Sequence, residues 1–333
     1  MNHNFKYTSM NSKHISTIIN MIPINSKGFY FFIAFVGLIL FSSCEETFIP
    51  DTIDAEQAYI VEGYVISSER NIPPYVILTK SIPFFSEIGQ ETLNSIFVKN
   101  AIVTIDDGAQ TTTLTQVCLQ DLPEDIKPMV TSGLGLDSIN PNFDFCFYID
   151  LLRQVDVHEL GSYQLHISVD GKEISAQTSI PSYIGLDSLW MQETPGDPID
   201  TLRQLYCRID DPAGIPNFYQ YKNGYKNEPI TSPFVSSIAD FLFDGKAFKF
   251  PMDRAVKDFK KEDSDTFAYF RTGDSIQVEW SCIDNVQYEF WNTLELDRIQ
   301  QGPFSSYVKA KTNIIGGLGV FMGKSSQLYF VKN

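Results

Sequence analysis

Histidine is scarce in this chain: 4 in 333 residues, and past residue 44 only His158 and His166. With no HExxH and no Cys/His cluster a zinc peptidase lacks its ligands, and without GxSxG there is no nucleophile elbow of the α/β-hydrolase kind. His158 and His166 fall in or beside an expected strand pair and read as surface residues. Cysteine is sparse as well, with 5 residues and no CxxC spacing, which leaves out zinc ribbons and thioredoxin-like redox sites. Positive charge is the third shortage. Against 41 Asp and Glu stand 25 Lys and Arg, a net charge of -16, so charge draws this chain neither to nucleic acid nor to anionic lipid. Finally, no apolar run reaches the roughly 20 residues that a membrane-spanning helix needs.

What is present begins with FFIAFVGLILFSSC, Phe31 to Cys44. The apolar stretch from Phe29 to Phe41 is 13 residues long, follows Lys6, Lys13 and Lys27, and has no acidic residue before Glu45. That is the layout of a signal peptide, and Ser42-Ser43-Cys44 makes it one of lipoprotein type, cut before Cys44. Phe41 stands where such boxes usually carry an aliphatic residue. The region ahead of the apolar run is long, so Met21 or Met10 is expected as the start in place of Met1. An ordinary secreted protein or an uncleaved anchor is the alternative. Acylation of Cys44, by palmitate or a similar chain, would hold the protein to a membrane at about 0.8 kcal/mol per buried methylene. Removing 1–43 takes three lysines, which leaves 290 residues with a net charge of -19. Residues 44–56, with Glu45, Glu46 and Pro50, form the tether. In an exported protein Cys118, Cys146, Cys207 and Cys282 are candidates for two disulfides. Pairing Cys118 with Cys146 and Cys207 with Cys282 keeps each bridge within one expected domain, but all three connectivities stay open.

From residue 57 the pattern is β. Tyr59–Val61 and Tyr64–Ile66 flank Gly63, and YVILTK follows at 75–80. Ala101, Val103 and Ile105 share a face before an Asp107-Gly108 turn into 111–117. Residues 120–142 read as a loop insertion. Tyr163, Leu165, Ile167 and Val169 alternate cleanly, and Asp170-Gly171 folds them back into 172–179. Short strands punctuated by hairpin turns predict an all-β chain with an immunoglobulin-like β-sandwich over 57–181. A second β-rich domain is expected over 182–333, with strands at 186–191, 202–209, 218–225, 246–250, 267–271 and 275–282. It carries one amphipathic helix near 285–301, capped by Asp284 with Gln287 completing a capping box, presenting Phe290, Trp291 and Leu294, and stopped by Gly302-Pro303. Such a helix packs as a lid on a sheet.

Few residue sets invite chemistry. Asp106-Asp107, Asp210-Asp211 and Asp263 with Asp265 suggest calcium or a glycosidase pair, yet each lies at a turn where Asp is favoured for local hydrogen bonds. Gly316, Gly317 and Gly319 lack the lysine and spacing of a phosphate loop and read as turn or bulge glycines. The chain is rich in aromatics, 26 Phe and 16 Tyr, and rings in 218–225 could stack on a sugar or peptide if they are exposed.

The order of segments along the chain resembles a family of Bacteroidota lipoproteins known as domain of unknown function 4249. The resemblance runs from the cysteine and YIVEGYVIS through VILTKSIPFF, VKNAIVTIDDG, GSYQLHISVDGKEISAQTSIP and LDSLWM. It continues with IDDPAGIPNFYQYK, FDGKAFKF, YEFWNTLE and GPFSSYVKAKTNIIGGLGVFMGKSS. It implies an outer-membrane β-sandwich lipoprotein often encoded beside TonB-dependent receptors, with no established catalytic residues and no cofactor. Acidic residues after the lipid cysteine accompany surface export in that phylum, and Glu45-Glu46 fits in part; a periplasm-facing protein is the alternative. The function expected is thus a non-enzymatic outer-membrane lipoprotein, lipidated at Cys44, accessory to a TonB-dependent transporter. The alternatives are a surface glycan- or peptide-binding module and an enzyme with an unrecognised carboxylate site.

Overall fold

The alternation at 163–169 buries Tyr163, Leu165, Ile167 and Val169 on one face. Asp170 (φ 50°) and Gly171 (φ 74°) then supply the two left-handed residues that a tight hairpin demands. The same logic repeats through the computed structural model, which is mostly β-sheet. It describes residues 57–82, 89–127, 130–131, 145–194, 201–256, 266–299 and 309–332. Residues 1–56, with the signal segment, Cys44 and the tether, lie outside the described residues, as do Asp263, Asp265 and Gly302-Pro303.

One eight-stranded sheet organises the body. Across it run β12 (Ser237–Ala239), β11 (Phe218–Tyr225), β15 (Ser275–Ile283), β16 (Leu318–Lys332), β1 (Tyr59–Ser68), β2 (Tyr75–Lys80), β6 (Cys146–Ile149) and β5 (Thr115–Cys118). A four-stranded sheet, β4 (Thr111–Thr113), β3 (Ile102–Asp106), β7 (Ser162–Val169) and β8 (Lys172–Ser179), shares a core with one half of it. That core joins Val61, Val65, Leu78 and Phe321 to Ile105, Leu165 and Ile167. A third sheet is built on β10 (Leu202–Asp210), which pairs with β9 (Leu186–Glu193), β13 (Ala247–Met252) and β14 (Phe270–Arg271). Its core with the other half joins Leu205, Ile209 and Phe270 to Tyr219, Val278 and Trp280.

The expected boundary at 181 is therefore corrected. β1 pairs in parallel with β16, from Ile60 opposite Leu318 to Ser68 opposite Ser326. Strands from both expected domains belong to one sheet, and the described residues, from 57 onward, form one compact unit. The first half is not a self-contained immunoglobulin-like sandwich, because its second layer borrows β16 from the far end of the chain. A glycine near the start of this strand makes the approach possible. Gly319 has φ 102°, and a Cβ there would lie 2.0 Å from the carbonyl oxygen of Val61. Gly319→Ala is expected to lower stability by about 2 to 3 kcal/mol, combining backbone strain with overpacking, read as a shift of the urea midpoint.

Two helices complete the described structure, α1 (Gln90–Ser95) and α2 (Asn285–Ile299). Asp284 caps α2, its Oδ1 accepting from the Gln287 backbone N–H at 2.8 Å. The Gln287 side chain, expected to reach back to the cap, instead donates to the carbonyl of Gly323 in β16. Phe290 and Trp291 pack partly buried against the sheet, but the two fully buried residues of α2 are Gln287 and Glu295. Glu295 accepts from the backbone N–H (2.9 Å) and hydroxyl (2.7 Å) of Ser236 and from the Ser237 hydroxyl (2.6 Å). The helix is thus pinned by polar anchors as much as by an apolar stripe. Glu295→Ala should cost about 1 to 3 kcal/mol through the donors it strands, and thermal melting would measure it.

Candidate functional site

The opposite face of the long sheet carries a core of its own, with Tyr64, Ile66, Tyr75, Phe147 and Met322 packed against Leu119 and Phe145. At its β5–β6 end this core opens into a cleft of about 460 Å³. Tyr75 and Phe147, both buried, form the floor. Val117 and Ile149 of the sheet, and Leu122, Ile126 and Val130 of the segment between β5 and β6, form the walls. Arg70, Asn71, Leu151 and Arg153 are exposed and stand at the rim.

Local hydrogen bonds set that rim. Asp150, buried at the end of β6, accepts from the Val155 backbone N–H at 2.8 Å and its own N–H donates to Pro74 O at 2.9 Å. The loop bearing Leu151 and Arg153 is thereby fixed over the β1–β2 connection. Arg153 Nη1 donates to Asn71 O at 2.5 Å. Cys118 and Cys146 lie directly opposite each other in β5 and β6 and are joined by a disulfide, which ties together the two strands that flank Leu122, Ile126 and Val130.

Arg70 connects the cleft to a buried ionic cluster. Glu279 of β15 accepts from Arg70 and from Lys324 of β16, and both the Glu279 and Lys324 side chains are almost fully buried. Burial alone would raise the Glu279 carboxyl; Lys324, Lys222 and Arg70 outweigh it and hold the pKa down at about 2. Lys222 of β11, directly opposite Glu279 in the sheet, is pushed below the usual lysine range by burial and by the Lys324 charge. Beside these groups Gln220 Nε2, Ser68 Oγ and Ser326 Oγ are buried without a hydrogen-bond partner among the described residues. Alternation hides this arrangement from sequence reading, because Glu279 and Lys324 occupy positions in strands where polar residues are expected to face solvent.

The other expected sites are dispersed. Asp211 meets Asp240 and Asp244, their nearest carboxylate oxygens all within 4.8 Å, while Asp106-Asp107 closes a different hairpin. Burial, reinforced by Asp240 and Asp244, raises Asp211 above the usual carboxylate range. Such oxygens suit a hard cation, but three are half of what calcium takes. They are also in use: Asp211 accepts from Tyr219 Oη and Gly245 N–H, Asp240 from Asn217 N–H at 2.7 Å, and Asp244 from Gly214 N–H at 2.8 Å. Cys207 and Cys282 do not form the second bridge considered above. They sit in different sheets of one core as free, buried thiols, Cys207 against Phe250 O and Cys282 against Ile184, with burial pushing Cys282 up to about 11. His158 and His166 are exposed, and His166 lies opposite Thr104 and Ser175 in its sheet.

Aromatic stacking through 218–225 is also corrected. Phe218, Tyr219 and Tyr221 are buried, Tyr219 stacking on Trp280 at 5.0 Å, so these three offer no face to a sugar, while Tyr225 is half-buried and edge-on to Phe270. A half-exposed pair is formed by Trp190 and Tyr206, stacked at 6.0 Å, and Lys249 Nζ lies over both rings.

The described residues thus form an all-β protein whose long sheet carries an apolar cleft at its β5–β6 end. The family model described as "Domain of unknown function (DUF4249)" matches residues 45–327, and the chain belongs to that family. No curated protein matches it.

Proposed function

We propose that this chain is a non-enzymatic lipoprotein of the outer membrane, anchored through Cys44 and acting as the accessory partner of a TonB-dependent transporter. The observation that carries the reading is an apolar tip at the β12 edge of the long sheet. Ile215, Phe241 and Leu242 are 65%, 68% and 86% exposed. The two loops that bear them are tied together by Asp240 to Asn217 and Asp244 to Gly214. Large apolar side chains on a rigid support are the usual anchors of protein interfaces. Two proteins held in one membrane meet at high effective concentration, so a small contact suffices. The carboxylates that would serve an enzyme are engaged in holding these loops.

A photo-crosslinking residue at Leu242, activated in intact cells, should trap a TonB-dependent receptor identified by mass spectrometry, and Phe241→Asp should abolish the adduct. Adducts with lipid alone, or a receptor adduct indifferent to Phe241→Asp, would sink the proposal. Protease accessibility of the same cells would separate a surface-exposed from a periplasm-facing protein. A second reading, a ligand-binding module, is favoured by the cleft.

A further inference from the structure

We infer that the cleft at the β5–β6 edge binds a small amphiphile: an apolar alkyl chain bearing one anionic head, carboxylate or phosphate. The site stands at the opposite edge of the long sheet from the β12 tip, so the inference goes beyond the transporter reading and does not depend on it.

Charge and lining decide the chemistry. In a chain with 41 acidic and 25 basic residues, the charged side chains lining the cleft among the described residues are Arg70 and Arg153, with no carboxylate among them. Arg70 is paired with Glu279, whereas Arg153 has no acidic partner among the described residues and commits one nitrogen to Asn71 O. Most of its fork of five N–H donors is left for an anion, and guanidinium binds carboxylate or phosphate in bidentate fashion. Asn71 (φ 48°) and Arg153 (φ 53°) are both held in the left-handed region, a cost that fixes the rim where the head would bind.

Below the rim the lining is apolar. A buried peptide or sugar would need partners for its backbone or hydroxyl groups, and apart from Asn71, Tyr75 and the two arginines the described residues of the cleft offer no polar side chain. An alkyl chain makes no such demand. The volume falls within the roughly 300 to 1,000 Å³ of small-ligand sites.

The test is photolabelling of the full chain, in membranes, with a diazirine-bearing dodecanoate. Label is expected in peptides covering 117–130 and 147–153. Dodecanoate should compete and dodecyltrimethylammonium should not. Arg153→Ala should reduce labelling about tenfold, the loss of one charge-assisted contact, and Ile126→Asp, which sets a carboxylate on the wall, should abolish it. Both residues are exposed, so neither change threatens the fold. Competition by phosphatidylglycerol vesicles and not by dodecanoate would assign the head to a lipid; the reverse would assign it to a free acid. Equal competition by the cationic amphiphile, labelling unchanged in both variants, or label spread over the surface would overturn the inference.

Discussion

Glu279→Gln is expected to cost about 3 to 5 kcal/mol, the loss that follows when one member of a buried ionic group is removed and the others stay charged. Lys324 and Lys222 would remain in the sheet without the carboxylate that compensates them. The pH dependence follows from the same geometry. Glu279 is depressed from an ordinary 4.5 to about 2, so its contribution is complete above the unfolded value and is lost as pH falls from about 4.5 towards 2. That window is worth on the order of 3 kcal/mol. Urea unfolding at pH 6 and pH 3 should show the loss in the native chain and a much smaller one in Glu279→Gln. Replacing Glu279 and Lys324 together by methionine should recover part of the stability, since well-packed apolar residues often equal a buried ion pair. An acid-indifferent native chain, or a Glu279→Gln variant of native stability, would show that the cluster is not ionised as described.

The second large effect is expected at the disulfide. Cross-linking two cysteines 28 positions apart removes enough unfolded-state freedom to stabilise the fold by about 3 to 4 kcal/mol. Cys118→Ala with Cys146→Ala should lose that amount, and reducing agent should lower the melting temperature of the native chain while leaving the double variant unmoved. The effect is local as well as global. Leu122, Ile126 and Val130 belong to the closed segment, so opening it loosens one wall of the cleft. Proteolysis between 119 and 145 should accelerate in the double variant before global unfolding does. Buried Cys207 and Cys282 should resist alkylation in either form, because burial disfavours their thiolates.

Local structure was largely legible in the sequence, and long-range structure was not. The Asp170-Gly171 hairpin, the strand alternation at 163–169 and the Asp284 cap are written in neighbouring residues, where turn chemistry and periodicity act. The union of β1 with β16 is not, since parallel pairing across some 260 residues leaves no mark in either strand beyond its apolar character. That pairing turned two expected domains into one. The cleft escaped for a similar reason: Tyr75, Val117, Phe147 and Arg153 come from separate strands and loops, and each reads alone as core or surface. Segment 120–142 read as a loop insertion; its described residues Leu122, Ile126 and Val130 supply a wall of the cleft. Glu279 and Lys324 betray themselves only when their strands are laid side by side. The residues that sequence did single out for chemistry, the acidic pairs, mostly serve the turns that produced them.

The position of β16 bears on when the molecule can fold. It lies between β15 and β1, in register with both, so the middle of the long sheet stays open until residues 318–332 arrive. A chain made or threaded from its N-terminus holds exposed strand edges until its final segment is released, and contacts of such long sequence separation form slowly. Nothing short of residues 318–332 can close the sheet. The apolar faces of both halves depend on this strand as a keystone, and a cell handling the partly made chain must keep it from pairing with its neighbours until residues 318–332 are free.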